Sequence, residues 1–122
     1  MIATALQAIA AFNMICTGSL RTGPVGMALP EEGGEPFTIE YRIDVDARRW
    51  CTDTCDDGED LASASEGVIV LRERYDEDGS SVIMVNPRSG RFSDTLIEGS
   101  NATLRSGTCA PAPFTGFPRE SA

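Results

Sequence analysis

The sequence contains neither histidine nor lysine, and these two absences remove most familiar chemistry at the outset. Without histidine the chain lacks the commonest general base and the commonest metal ligand. Without lysine it cannot form a Schiff base or use a serine-lysine pair. All 10 bases are therefore arginine, set against 19 acids, for a formal net charge of -9. Nucleic acid is excluded as a partner, because neutralising phosphates needs a basic face that this surface does not offer. A basic protein or peptide fits the charge better. A pair of carboxylates could still hydrolyse a glycoside, yet no pair stands out among so many solvated acids, and the chain reads as a non-enzyme that needs no cofactor. No stretch is long and apolar enough to span a bilayer.

The length suits one domain with one core, expected as a monomer. Residues 1–10 are apolar and rich in small side chains, and Ala8-Ile9-Ala10 matches the small-x-small pattern of a signal-peptide cleavage site. These residues are read as a possible signal-peptide remnant, residues 11–122 as a single β domain, and the location as periplasmic or secreted.

Alternation with a period of two dominates the chain. In residues 37–45, Ile39, Tyr41, Ile43 and Val45 fall on one face and Thr38, Glu40, Arg42 and Asp44 on the other. Residues 67–75, 80–86, 91–98 and 101–109 are similarly rich in branched and aromatic residues, and 12–17 alternates as an opening strand. Between them lie turn sequences with a mechanism: Asp78-Gly79 tolerates positive φ, Pro87 fixes its own φ, and Gly90 suits a left-handed hairpin position. The expected fold is all-β, a small antiparallel meander of about 7–8 strands forming a closed or nearly closed barrel, with a β-sandwich as the alternative. Residues 18–36, crowded with Gly and Pro, are expected as a long loop. The tail 110–122, with proline at 111, 113 and 118, is expected to be irregular, with Phe114 and Phe117 plugging one end of the barrel.

Four cysteines in a small exported chain point to two disulfides. Cys16 and Cys109 flank the meander on its first and last strands, which become neighbours when a barrel closes. Cys51 and Cys55 would lie about 13 Å apart if extended, beyond the roughly 7 Å ceiling for a bridge, but the turn sequence between them brings them into range. The pairing that agrees with the fold is Cys16 with Cys109 and Cys51 with Cys55. A redox dithiol is disfavoured by the spacing, and zinc would need four thiolates from three separate regions. Trp50 is expected to cap the core beside Cys51.

The acids Asp53, Asp56, Asp57, Glu59 and Asp60 crowd one loop. Read as a calcium loop starting at Asp53, Gly58 is correctly placed, but Cys55 takes a ligand position and Ala64 replaces the bidentate glutamate. A small-ligand or calcium-binding barrel with this loop at its mouth is thus the alternative to a binding protein with an acidic surface.

The frame "ICTG", "IDVDARRWC", "NPRSGRF" and "GTCAPAPFTGFP" resembles short exported proteins of unassigned function from GC-rich Gram-negative bacteria. More distantly, the layout is similar to the small periplasmic barrels that inhibit C-type lysozymes. That resemblance implies an inhibitor that enters the lysozyme cleft with a serine-glycine loop ending in tyrosine. Ser89, Gly90, Arg91 and Phe92 are the nearest match here, one residue short and with phenylalanine for tyrosine, and the family's later tryptophan is missing. These four residues and the acidic loop 53–60 are the contact candidates for a basic partner or hydrolase.

Overall fold

A computed structural model describes residues 11–27, 34–52, 58–65 and 67–116. The described elements are nine antiparallel strands: β1 (Ala11–Pro24), β2 (Glu35–Asp44), β3 (Arg49–Cys51), β4 (Glu59–Asp60), β5 (Ser63–Ala64), β6 (Ile69–Asp76), β7 (Gly79–Val85), β8 (Arg91–Glu98) and β9 (Asn101–Ala112). They form one sheet in the order β4-β3-β2-β1-β9-β8-β7-β6-β5. First and last long strands are neighbours, as a barrel-like meander requires.

How the sheet curls is seen at its two edges. β4 pairs with β3 and β5 pairs with β6, yet only Leu61 and Ala62 separate β4 from β5. The Leu61 N–H donates to the Arg48 carbonyl at 2.9 Å, and the Ala62 N–H donates to the Val70 carbonyl at 3.0 Å. Residues 59–64 therefore behave as one strand that passes from one edge of the sheet to the other. Towards the opposite end β1, β6, β7, β8 and β9 run on past this seam, because β2 begins at Glu35 opposite Leu20 and β5 reaches only Val70 and Ile69. The wall is a barrel at one end and an open gutter of five strands at the other.

The enclosed end is filled by Met14, Cys16, Tyr41, Ile43, Trp50, Leu61, Ile69, Leu71, Ile83, Val85 and Phe92, all buried, with Phe12, Phe37, Ile39 and Val45 against them. Cross-strand register sets its main layer: Val85, Phe92, Gly107, Gly18 and Phe37 lie in one row across β7, β8, β9, β1 and β2. The two glycines leave space that the flanking rings take, with Phe37 and Phe92 centroids 6.0 Å apart. Phe92 continues to Tyr41 at 5.6 Å and Tyr41 to Trp50 at 5.9 Å, so four aromatic rings make a chain through the core.

Two expectations about irregular segments are corrected. The loop assigned to 18–36 starts later: β1 continues to Pro24, paired with β9 as far as Asn101. Gly18 is a strand residue, present because β9 approaches there too closely for a side chain. Residues 28–33 lie outside the described residues. The tail is also more regular than its prolines imply, since β9 extends through Pro111 to Ala112 on the edge of β1. Phe114 does not plug the barrel. It packs against Cys51 in a cluster separate from the core, on the outer face, and Phe117 lies outside the described residues.

Candidate functional site

The residues singled out in the sequence fall into three places. Asp53, Cys55, Asp56 and Asp57 lie outside the described residues. Glu59 and Asp60 form β4, and Glu59 is committed to the fold: its carboxylate accepts from Arg72 Nε at 2.7 Å and from Arg72 Nη2 at 2.5 Å. The Arg72 guanidinium sits 5.4 Å from the centroid of the Trp50 ring, so the ion pair is stacked on the end of the aromatic chain. Trp50 is buried as expected, and its indole N–H finds no acceptor among the described residues.

The second candidate, the turn between β7 and β8, is a compact local structure. Asn86 Oδ1 accepts from the N–H groups of Arg88 and Ser89 at 2.9 and 3.2 Å, and its carbonyl accepts from the Gly90 N–H at 2.8 Å. Gly90 takes φ 79°, where an added Cβ would lie 2.7 Å from the Cys109 carbonyl oxygen. Ser89 and Arg91 are exposed on this turn, but Phe92 turns inward and is only 4% exposed. The phenylalanine nominated as a contact is thus a core ring, and only the first three residues of the set present a surface.

Among the cysteines, Cys16 and Cys109 are bonded directly across β1 and β9, with Cα atoms 3.9 Å apart. Cys51 is also disulfide-bonded. Cys55, its expected partner, lies outside the described residues.

The structure also assembles a site that sequence reading missed. One register row runs Arg72, Ile83, Asp94, Arg105, Leu20 and Glu35 across β6, β7, β8, β9, β1 and β2. It lies immediately above the aromatic layer, on the floor of the gutter. Arg105 Nη1 donates to Asp94 Oδ2 at 3.1 Å, and Arg72 Nη1 reaches Ser81 Oγ at 3.4 Å. Asp94 is 8% exposed. Burial pushes its carboxyl above the usual carboxylate range, while the charges of Arg105 and Arg72 oppose that shift without cancelling it.

This shift has a sign that can be checked. A carboxyl with a raised folded-state pKa binds its proton more tightly in the native than in the unfolded chain, so stability falls as pH rises from the ordinary carboxylate range through the raised value. Measured against Asp94→Asn by denaturant unfolding, the wild-type protein should lose relative stability over that window. A relative gain with rising pH would show that the Arg105 pair dominates burial.

Above the charged row the gutter ends in two hairpin tips, β6–β7 and β8–β9, tied by a hydrogen bond from the Gly99 N–H to the Asp78 carbonyl at 2.9 Å. Between them lies an open cleft of about 290 Å³. Asp76, Glu77, Asp78 and Glu98 line it, with Arg74 the one cationic side chain in its wall among the described residues. Asp76 also shapes the turn, because its Oδ1 accepts from the N–H groups of Asp78 and Gly79 at 2.9 and 3.0 Å. Among the described residues no three acids or cysteines are grouped to hold a metal ion, and no described helix is long and apolar enough to cross a membrane. Comparison with known proteins finds no matching family model, no matching curated protein and no matching solved structure.

Proposed function

We propose that this protein is an exported, non-catalytic binding domain that engages a basic protein or peptide, a hydrolase that it inhibits being the partner class implied by its layout. The observation that carries the reading is the acidic cleft: four carboxylates on two hairpin tips that a rigid sheet holds together, in a chain of net charge -9. Such a cluster steers a cationic partner and fixes its register on arrival. The exposed Ser89 and Arg91 belong to a turn at the opposite end of β7 and β8, so they form a second, separate surface. Export is supported by two independent disulfide-bonded positions, Cys16–Cys109 and Cys51, which persist in an oxidising compartment. The reading of binding without chemistry rests on the absence of histidine and lysine.

The test is titration against a C-type lysozyme and an arginine-rich peptide at about 50 and about 300 mM salt. Binding should weaken as salt rises, and Glu77→Gln with Glu98→Gln should weaken it further without changing the unfolding midpoint. Binding that ignores both salt and the double variant, or no binding to any basic partner, would remove the proposal.

A further inference from the structure

The inner face of the gutter changes in charge from floor to rim. On the floor, Asp94 of β8 and Arg105 of β9 stand opposite each other, joined by the hydrogen bond from Arg105 Nη1 to Asp94 Oδ2. Two residues further along come Leu96 and Thr103, both uncharged, and two further still come Asn101 and Glu98, the latter in the acidic cleft. Floor and rim are therefore four residues apart, about 14 Å along the strand. The floor pair is fixed in the sheet but only half used. The Asp94 side chain is 10% exposed and that of Arg105 34%. Among the described residues Asp94 Oδ1 has no donor, and Arg105 Nε and Nη2 have no acceptor. None of these three atoms is enclosed, so they open onto the gutter. Arg72 does not supply the missing donor, because its guanidinium is engaged by Glu59 and Ser81. Arg74 is turned to Asp76, with Nε 4.0 Å from Oδ2. Burial holds the Asp94 carboxyl above the usual carboxylate range, and a cation seated on Oδ1 would relieve that cost.

We propose that the gutter floor binds the α-ammonium and α-carboxylate groups of an amino acid with a cationic side chain. The free edge of the Arg105 guanidinium donates to the carboxylate, and Asp94 Oδ1 accepts from the ammonium. The aliphatic stem runs past Leu96, and its cationic end meets Glu98 at the rim. A lone anion would leave Asp94 Oδ1 without a donor, and a polyamine would leave Arg105 without an acceptor. A zwitterion completes both, which is why it is the class the floor selects. Only the contact at Glu98 rests on the acidic cleft as a surface for basic partners; the floor pair stands without it. The preference for a basic side chain follows from Glu98 lying on the same inner face as Asp94, beyond an uncharged step.

The experiment is calorimetric titration of the full chain with L-arginine and with three probes that each lack one group. These are agmatine, without the carboxylate, argininic acid, with a hydroxyl for the ammonium, and L-alanine, without the cationic side chain. L-arginine should bind tightest. Loss of the carboxylate or the ammonium should weaken binding by about tenfold or more, the cost of one charge-assisted hydrogen bond. Arg105→Gln should weaken L-arginine by a similar factor and leave agmatine unaffected, while Glu77→Gln with Glu98→Gln should abolish the preference over L-alanine. The probe series on the unaltered chain needs no variant to fold. No binding of L-arginine, or agmatine and argininic acid binding as tightly as it does, would overturn the proposal. If agmatine and an arginine-rich peptide bind and lose affinity only in the Glu77, Glu98 double variant, the acidic cleft stands and the floor site falls. If L-arginine and L-alanine bind alike and both depend on Arg105, the floor holds a zwitterion and the assignment of a cationic side chain is overturned.

Discussion

Alanine at Gly18 or Gly107 should destabilise the fold by about 3 kcal/mol or more, the upper range for forcing atoms into a packed interior. These residues oppose each other on β1 and β9. A Cβ on Gly18 would overlap the Ser106 carbonyl oxygen and lie 2.7 Å from the Gly107 Cα, and a Cβ on Gly107 would overlap the Thr17 carbonyl oxygen and lie 2.7 Å from the Gly18 Cα. Every atom in the way is backbone, so no rotamer change relieves the clash. The strands would have to part, yet two residues along the Cys16–Cys109 bond holds their Cα atoms 3.9 Å apart. Parting would also lift the floor beneath Phe37 and Phe92. Urea unfolding midpoints of the single variants measure the cost. A further consequence separates this account from simple loss of strand propensity: with both cysteines replaced by alanine the strands can part, so Gly18→Ala should cost less there than in the bonded protein, a non-additivity expected of coupled neighbours. Equal costs in the two backgrounds would place the strain elsewhere.

Much of this architecture is legible in the chain because alternation maps directly onto buried and exposed faces. Ile39, Tyr41 and Ile43 face inward as their spacing requires, and a first and last strand that carry cysteines are bonded across the seam. The illegible parts share one cause, which is that they depend on pairing and not on local pattern. Strict alternation from Ile69 and Leu71 would carry Glu73 and Tyr75 inward. The register instead shifts between Val70 and Arg72, so that Arg72 stands opposite Ile83. One extra residue, a bulge, turns Arg72 towards Trp50 and leaves Tyr75 68% exposed. Nothing in the string Leu71-Arg72-Glu73 announces it. Asp94 did carry a signal, since it is two residues from Phe92 and therefore on the same face; its significance emerges only once Arg105 is known to lie opposite. The strands β3, β4 and β5 are too short for a periodic pattern, and the handover between edges that makes the seam is a property of the whole sheet.

Replacing Cys16 and Cys109 together by alanine should lower stability by about 4 to 5 kcal/mol in the chain-entropy account of a bond that spans 93 residues. For a domain whose total stability is on the order of 5–15 kcal/mol this is a large share, and it corresponds to a fall in Tm of roughly 15 °C. The native state has little reason to change shape, because β1 and β9 remain paired from Asn13–Ala112 to Pro24–Asn101 without the bond. The effect therefore acts through the unfolded chain, which regains the freedom of nearly the whole sheet when its ends are untied. Far-UV circular dichroism at low temperature should be unaltered, with the loss confined to the transition midpoint. The expected bond from Cys51 to Cys55 would close a far shorter stretch, so Cys51→Ala with Cys55→Ala should cost about 2 kcal/mol. If instead the short bond proved the costlier of the two, stability would be governed by the packing of Cys51 under Phe114 and Trp50 beside it, and the seam between β1 and β9 would hold by its hydrogen bonds and its glycine-to-glycine contact alone.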